Sequence, residues 1–204
     1  MSYRTSNLQN VSGWLGRLLR LDLSAFDEIR SDPSATLGAI AVVFGASLLA
    51  GVGSWLWAVQ TDGVDASEVL VKSLVVGSVL QTLGWFFWVY FAYMVLARGY
   101  GARTEFASLV RTMGFAFAPS AVSVLVAITA FAVPFGVTAL AATVLLTHFA
   151  IQASSSADPR QSFVANIVGF LLFAVVMGAL SNLFEVTNVG GLAPGLFFFS
   201  LDLR

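Results

Sequence analysis

Charge is absent from long stretches of this chain. Pro33 to Thr61 runs 29 residues without an ionised side chain, Ser73 to Ala97 runs 25, Thr112 to Ala157 runs 46 and Gln161 to Phe184 runs 24. A helix crossing a bilayer core needs about 20 mostly apolar residues at a rise of 1.5 Å each. The first, second and fourth runs hold one such helix each. The third holds two, with a hairpin expected at Val133-Pro134-Phe135-Gly136, because the N–H that proline lacks is not needed in a turn or at a helix start. The pattern predicts spans at about 35–59, 73–97, 112–133, 135–153 and 163–184. The runs are continuous and do not alternate, which argues against an outer-membrane barrel. The expected fold is all-α, a polytopic membrane bundle of five transmembrane helices. Residues 1–34 form a cytoplasmic N-terminal segment, 35–184 the membrane domain and 185–204 a non-cytoplasmic tail.

Ahead of the first run the pattern changes. Between Ser12 and Ile29, Trp14, Leu15, Leu18, Leu19 and Phe26 recur at spacings of three, four and seven, with Arg17, Arg20, Asp27 and Glu28 between them. This is an amphipathic helix. It lies in the headgroup layer or packs on the cytoplasmic loops. Arg17, Arg20 and Asp22 interrupt any apolar core here, so no cleavable signal peptide is expected. Asp32-Pro33 then turns the chain into the first span.

Composition agrees with the pattern. Hydrophobic residues are 58% and charged residues 10%, with a mean hydropathy of +0.87. A soluble domain carries about 25% charge, so an ordinary soluble globule is excluded. The net charge of -1 and the single lysine, Lys72, argue against a nucleic-acid partner. There is no cysteine, hence no disulfide framework or thiolate site. With the N-terminus inside, Arg4, Arg17, Arg20, Arg30, Arg98, Arg103, Arg111 and Arg160 all fall on the cytoplasmic side. Only Lys72 and Arg204 fall outside. That asymmetry predicts an N-in, C-out protein of the cytoplasmic (inner) membrane.

Two stretches resemble the Yip1-domain family of membrane proteins in its prokaryotic form. One is the lead-in segment Asp22-Leu23-Ser24-Ala25-Phe26-Asp27-Glu28-Ile29-Arg30-Ser31-Asp32-Pro33. The other is Arg103 to Pro119, where Phe106 precedes Arg111 and then Gly114-Phe115-Ala116-Phe117-Ala118-Pro119. The resemblance covers roughly Leu21 to Phe184 and implies five spans with a cytoplasmic N-terminus. Eukaryotic members of that family act in vesicle traffic and bind small prenylated GTPases. This chain lacks their Asp-Leu-Tyr-Gly-Pro segment and their long polar N-terminal tail, and has Gly114-Phe115-Ala116 in place of a Gly-Tyr-Ser form. The resemblance therefore implies a fold more than an activity.

Candidate chemistry is sparse. His148 is the only histidine, with Thr147 beside it and Gln152 one turn on. Topology puts Ser120 and Asn166 in the same leaflet, so His148, Gln152, Thr147, Ser120 and Asn166 are a possible polar pocket; the alternative is plain helix–helix hydrogen bonding. His148 could also serve as an axial ligand to a tetrapyrrole, without any supporting spacing. Trp85, Trp88, Tyr90, Phe91 and Tyr93 crowd span two, either packing or presenting a partner surface. Small residues at four-residue spacing (Ala41 and Gly45, Ser73 and Gly77, Gly114 and Ala118, Ala174 and Gly178) permit close helix approach. Asn166, Ala174, Gly178 and Asn182 share a face expected to look inward. In the tail, Phe197, Phe198 and Phe199 need something to dock on. No catalytic or metal-ligating constellation stands out. The expected function is a non-enzymatic scaffold or accessory subunit binding other membrane proteins or itself. Trp14, Leu18, Trp85, Trp88 and Phe197 to Phe199 are the contact candidates. The alternative is a small transporter, channel or lipid-handling protein using the pocket. Membrane lipid is the one small-molecule partner expected; no cofactor is.

Overall fold

The computed structural model describes residues 3–61 and 65–183, with side chains over 10–61 and 65–180. Phe197, Phe198, Phe199 and the side chain of Asn182 lie outside the described residues. The described chain is an all-α bundle with five helices long and apolar enough to cross a membrane. Two helices precede them, α1 (Tyr3–Leu19) and α2 (Ala25–Ser31). The spans are α3 (Ala35–Thr61), α4 (Ala66–Gly99), α5 (Phe106–Ala127), α6 (Thr129–Ser154) and α7 (Pro159–Leu183). The protein is therefore a helical membrane protein.

The single amphipathic helix expected over 12–29 is two helices. Arg20, Leu21 and Asp22 donate backbone N–H bonds back to Arg17 and Leu18, and Leu21 takes φ +60°. That is the left-handed position which usually falls to glycine after a helix end, and it turns α2 back along α1. A charge cluster fixes the turn. Arg17 donates to Asp22 (2.8 Å), to Glu28 (2.6 Å) and to the Ser24 hydroxyl (2.9 Å). Trp14 Nε1 donates to Glu28 at 3.3 Å, and its ring meets the edge of Phe115 at 5.5 Å. Trp14, Leu18, Ala25, Phe26 and Ile29 are buried against the spans. The hairpin thus packs on the bundle. Its apolar face is inside the protein, so Trp14 and Leu18 offer no partner surface.

α4 starts seven residues before the expected span. The Asp65 side chain caps it, accepting from the Ser67 and Glu68 amides. Glu68 and Lys72 pair one turn apart at the exposed end, which lets two charges ride on a membrane helix. π-helical turns occur at Val71–Val76 and Val95–Gly99.

α5 is the most buried span, packed against α3, α4 and α6. It is α-helical to Ala116 and then a 3-10 helix from Ala118 to Ala127. Pro119 explains the switch: it has no N–H to give, and its ring would clash with the carbonyl four residues back. The turn into α6 comes at Ile128, where the backbone is extended, and not at Val133-Pro134-Phe135-Gly136. Pro134 lies in the first turn of the α-helix Ala132–Ser154, where its missing N–H is again without cost.

Close approach is concentrated at small residues. The buried face of α3 runs Ala35, Ala39, Val43, Ala46, Ala50, Gly53, Ser54 and Ala58. A Cβ on Gly53 would collide with the Ser123 carbonyl of α5 and lie 2.8 Å from Val124 Cα. One on Gly51 would lie 2.6 Å from the Ser73 carbonyl of α4, and one on Gly114 2.7 Å from Ala39 Cβ. By contrast, Gly45 has nothing within 4 Å and Ala41 is exposed, so the expected Ala41–Gly45 pair makes no contact. At the far end, Gln60 donates to the Ala127 carbonyl and Trp55 to that of Ala66, tying α3 to its neighbours.

Two outcomes follow from this packing. Gly53→Ala meets backbone that cannot move aside and is expected to lower stability by about 2 kcal/mol. Gly45→Ala on the same helix raises it by roughly 0.5–1 kcal/mol through the lower backbone entropy of alanine. Thermal unfolding in detergent reads both, with opposite shifts. Hydrogen bonds from Ser24 and Arg17 hold Asp22 below its ordinary value of 3.8, and bonds from Arg17 and Trp14 hold Glu28 below 4.5. Carboxylates depressed in the folded state contribute above their unfolded values and lose that contribution as pH falls through the folded ones. The α1–α2 hairpin is therefore expected to hold unchanged from neutrality to about pH 5 and to loosen below about pH 4, read by hydrogen exchange over 10–31.

Candidate functional site

The five residues expected to form one polar pocket divide between two places. The first is the centre of the bundle. Ser120 on α5 bonds the Thr143 hydroxyl of α6 at 3.0 Å, and Thr143 bonds the Ala139 carbonyl. With Gln81, Ser123 and Trp88 they line an enclosed hole of about 10 Å³, which is near the volume one water needs. Gln81 Oε1 is buried without a hydrogen-bond partner among the described residues. Gln81 is the residue that sequence reasoning passed over, although a lone amide inside an apolar run was a visible signal. Thr147 is buried on α6 and spends its hydroxyl on the Thr143 carbonyl, one turn back.

The second place is a lateral cleft between α6 and α7. It measures about 530 Å³ and is lined by Val137, Leu140, Val144, Leu145, Phe163 and Phe170, with His148 and Asn166 as its polar members. Gln152 holds its amide nitrogen 2.9 Å from His148 Nε2. The ring stands edge-on to Phe163 at 5.9 Å. His148 Nδ1 is buried and has no partner among the described residues. Axial ligation of a metal through Nε2 would first require Gln152 to let go.

Asn166 forms the wall between the two places. Its amide donates to the Val144 carbonyl at 2.8 Å, and its side-chain oxygen accepts from Trp88 Nε1 at 3.2 Å. Trp88 stacks on Phe173 and fills the notch at Gly169, where a Cβ would lie 2.6 Å from its ring. Gly84 on α4 receives Phe173 and Met177 in return, each 3.0 Å from a Cβ placed there. The α4–α7 seam is thus two reciprocal ring-into-glycine contacts. Trp85 and Trp88 are both fully buried in it or beside it, so neither is a partner surface. On α7, Asn166 and Ala174 face inward and Gly178 is half-buried.

The family-like residues have structural partners. Arg111 is 8% exposed and donates through Nε (3.1 Å) and Nη2 (2.5 Å) to the Arg30 carbonyl at the end of α2. The last carbonyls of a helix lack intrahelical donors and carry partial negative charge, which a guanidinium complements. Gly114 admits Ala39, Phe115 meets Trp14, and Phe106 packs edge-on to Tyr93 at 5.8 Å. Pro119 lies in the first turn of the 3-10 segment and lines an apolar groove of about 750 Å³ beneath α1 and the turn that follows it, along with Leu15, Leu18, Leu146 and Phe149.

Family models, curated proteins and solved structures were all compared with the chain, and none matches it.

Asn166→Ala strips the Val144 carbonyl of its side-chain donor and leaves the Trp88 indole with the residue 166 backbone carbonyl alone, 3.2 Å away. The expected loss is about 1 kcal/mol, read as a lower unfolding midpoint in detergent. Gln152→Ala, on the cleft side, is expected to cost less.

Proposed function

We propose that this chain is a non-enzymatic membrane protein of Yip1-like plan, an accessory or scaffold subunit that docks a helix of another membrane protein. The observation that carries the reading is the lateral cleft. It is lined by residues of α6 and α7, and its rim residues Val137, Leu145 and Phe163 are exposed. A cleft between helices, apolar throughout except for one imidazole and one amide, suits the side chains of a partner helix. In lipid such docking is driven by shape and a few hydrogen bonds, because apolar contact alone gains little there. Thr112, Ser120, Thr143, Thr147 and Ser154 spend their hydroxyls inside the bundle, which weakens the case for a polar substrate path along α5 and α6. The positive-inside asymmetry supports placing the α1–α2 end in the cytoplasm of a cell with the protein in its inner membrane. A second reading, lipid handling, draws on the wholly apolar groove beneath α1 and the turn that follows it, which has room for an acyl chain.

The test is photo-crosslinking from Val137 and Phe163 at the cleft and from Val75 on the exposed face of α4, in native membranes. A discrete protein adduct from the two cleft positions, absent from Val75, is the expected result. Lipid adducts alone from all three would overturn the scaffold reading and favour the second.

A further inference from the structure

We infer that the cup formed where the α4–α5 loop meets α2 and the end of α6 is a binding site for a phosphate group. The cup measures about 520 Å³ and is lined by Arg30, Arg103, Thr104, Glu105, Ser108 and Ser154. It lies apart from the lateral cleft and shares no residue with it.

Four features converge there. The α-helical part of α5 begins at Phe106, and its first amides have no carbonyl one turn back to bond. Glu105 stands at the N-cap position without a side-chain cap bond, so those amides and the positive end of the helix dipole open on the cup. Ser108 is 8% exposed and lines the cup, yet its hydroxyl has no hydrogen-bond partner among the described residues. Open to the cup and unspent, it is a donor available to an anion oxygen.

The third feature is Arg103. Its backbone is pinned: its N–H donates to the Ser156 hydroxyl at 2.8 Å and its carbonyl accepts from the Ser156 amide at 3.0 Å. The guanidinium has no acidic partner among the described residues and stays at the rim with all its donors available. The fourth is a positive excess. Arg30 is shared with Asp27 (3.2 Å) and the Ala153 carbonyl (2.6 Å), and Arg111 lies buried below with no carboxylate among the described residues. Arg30 and Arg103 balance Asp27 and Glu105, and the excess comes from Arg111, which does not line the cup but bonds the Arg30 carbonyl. A planar fork of N–H donors, free amides and one hydroxyl is the donor set that a tetrahedral oxyanion takes. Two sources share this chemistry, the headgroup of an anionic phospholipid and free phosphate.

The experiment uses the full chain, delipidated in dodecyl maltoside. Radiolabelled inorganic phosphate is titrated by equilibrium dialysis, and phosphatidylglycerol re-addition is followed by native mass spectrometry. The variants are Arg103→Gln and Ser108→Ala, with Arg20→Gln as an exposed arginine elsewhere; circular dichroism and elution volume check each fold. Saturable binding of one equivalent is expected, weakened at least about tenfold by Arg103→Gln, weakened less by Ser108→Ala and unchanged by Arg20→Gln. Binding of inorganic phosphate identifies a soluble source; binding of phosphatidylglycerol alone identifies a lipid source. If neither probe saturates, or Arg20→Gln weakens binding as much as Arg103→Gln does, the proposal fails.

Discussion

Apolar side chains gain little by leaving lipid for protein, so helices in a bilayer must cohere by coming close enough for dispersion and backbone contacts to matter. That demand is sharpest where α3 crosses α5. Gly53 admits the Ser123–Val124 backbone at a distance no side chain would allow, and Gly51 does the same for α4 at Ser73. The buried stripe of α3 is small residues almost throughout. With α3 seated this closely, α5 is enclosed, its hydroxyls are forced onto α6, and α4 is left to meet α7 through Trp88 and Gly169. Much of the bundle's order traces to that one crossing.

The spans were legible because charge is so scarce that its gaps mark the membrane segments. Their ends were less so. Asp65 begins α4 early because a capped turn with a Glu68–Lys72 pair tolerates charges that the run length treated as a boundary. The α5–α6 turn was misplaced because Pro134 fits a first turn as well as a loop. The break at Leu21 was invisible, since a bulky residue there gives no hint of a left-handed backbone. The polar pocket divided because residue spacing gives depth in the membrane but not azimuth. Ser120 was expected beside His148, yet it bonds Thr143, five residues earlier on α6, while His148 meets Gln152. Gly53 went unremarked because it pairs with another helix and has no small residue four positions away.

The stretch that carries the family resemblance is built for architecture. Arg111 finishes α2, Gly114 accepts α3, Phe115 braces Trp14, and Pro119 changes the helix type. A motif made of such contacts speaks for a shared bundle and is silent on a shared ligand. Around it lie an apolar cleft between α6 and α7 and, at the head of α5, a cup lined by Arg30, Arg103 and Ser108.

The 3-10 segment also changes how long α5 is. Ten residues at about 2.0 Å each reach about 20 Å, where an α-helix of the same ten would reach about 15 Å. A chain of 22 residues thereby gains about 5 Å of reach. Relaxing the segment to α-helix would draw the turn at Ile128 inward by close to one helical turn and unseat Ser123 from Gly53. The tight crossing and the stretched helix therefore exist only together: α3 acts as the ruler against which α5 is held extended.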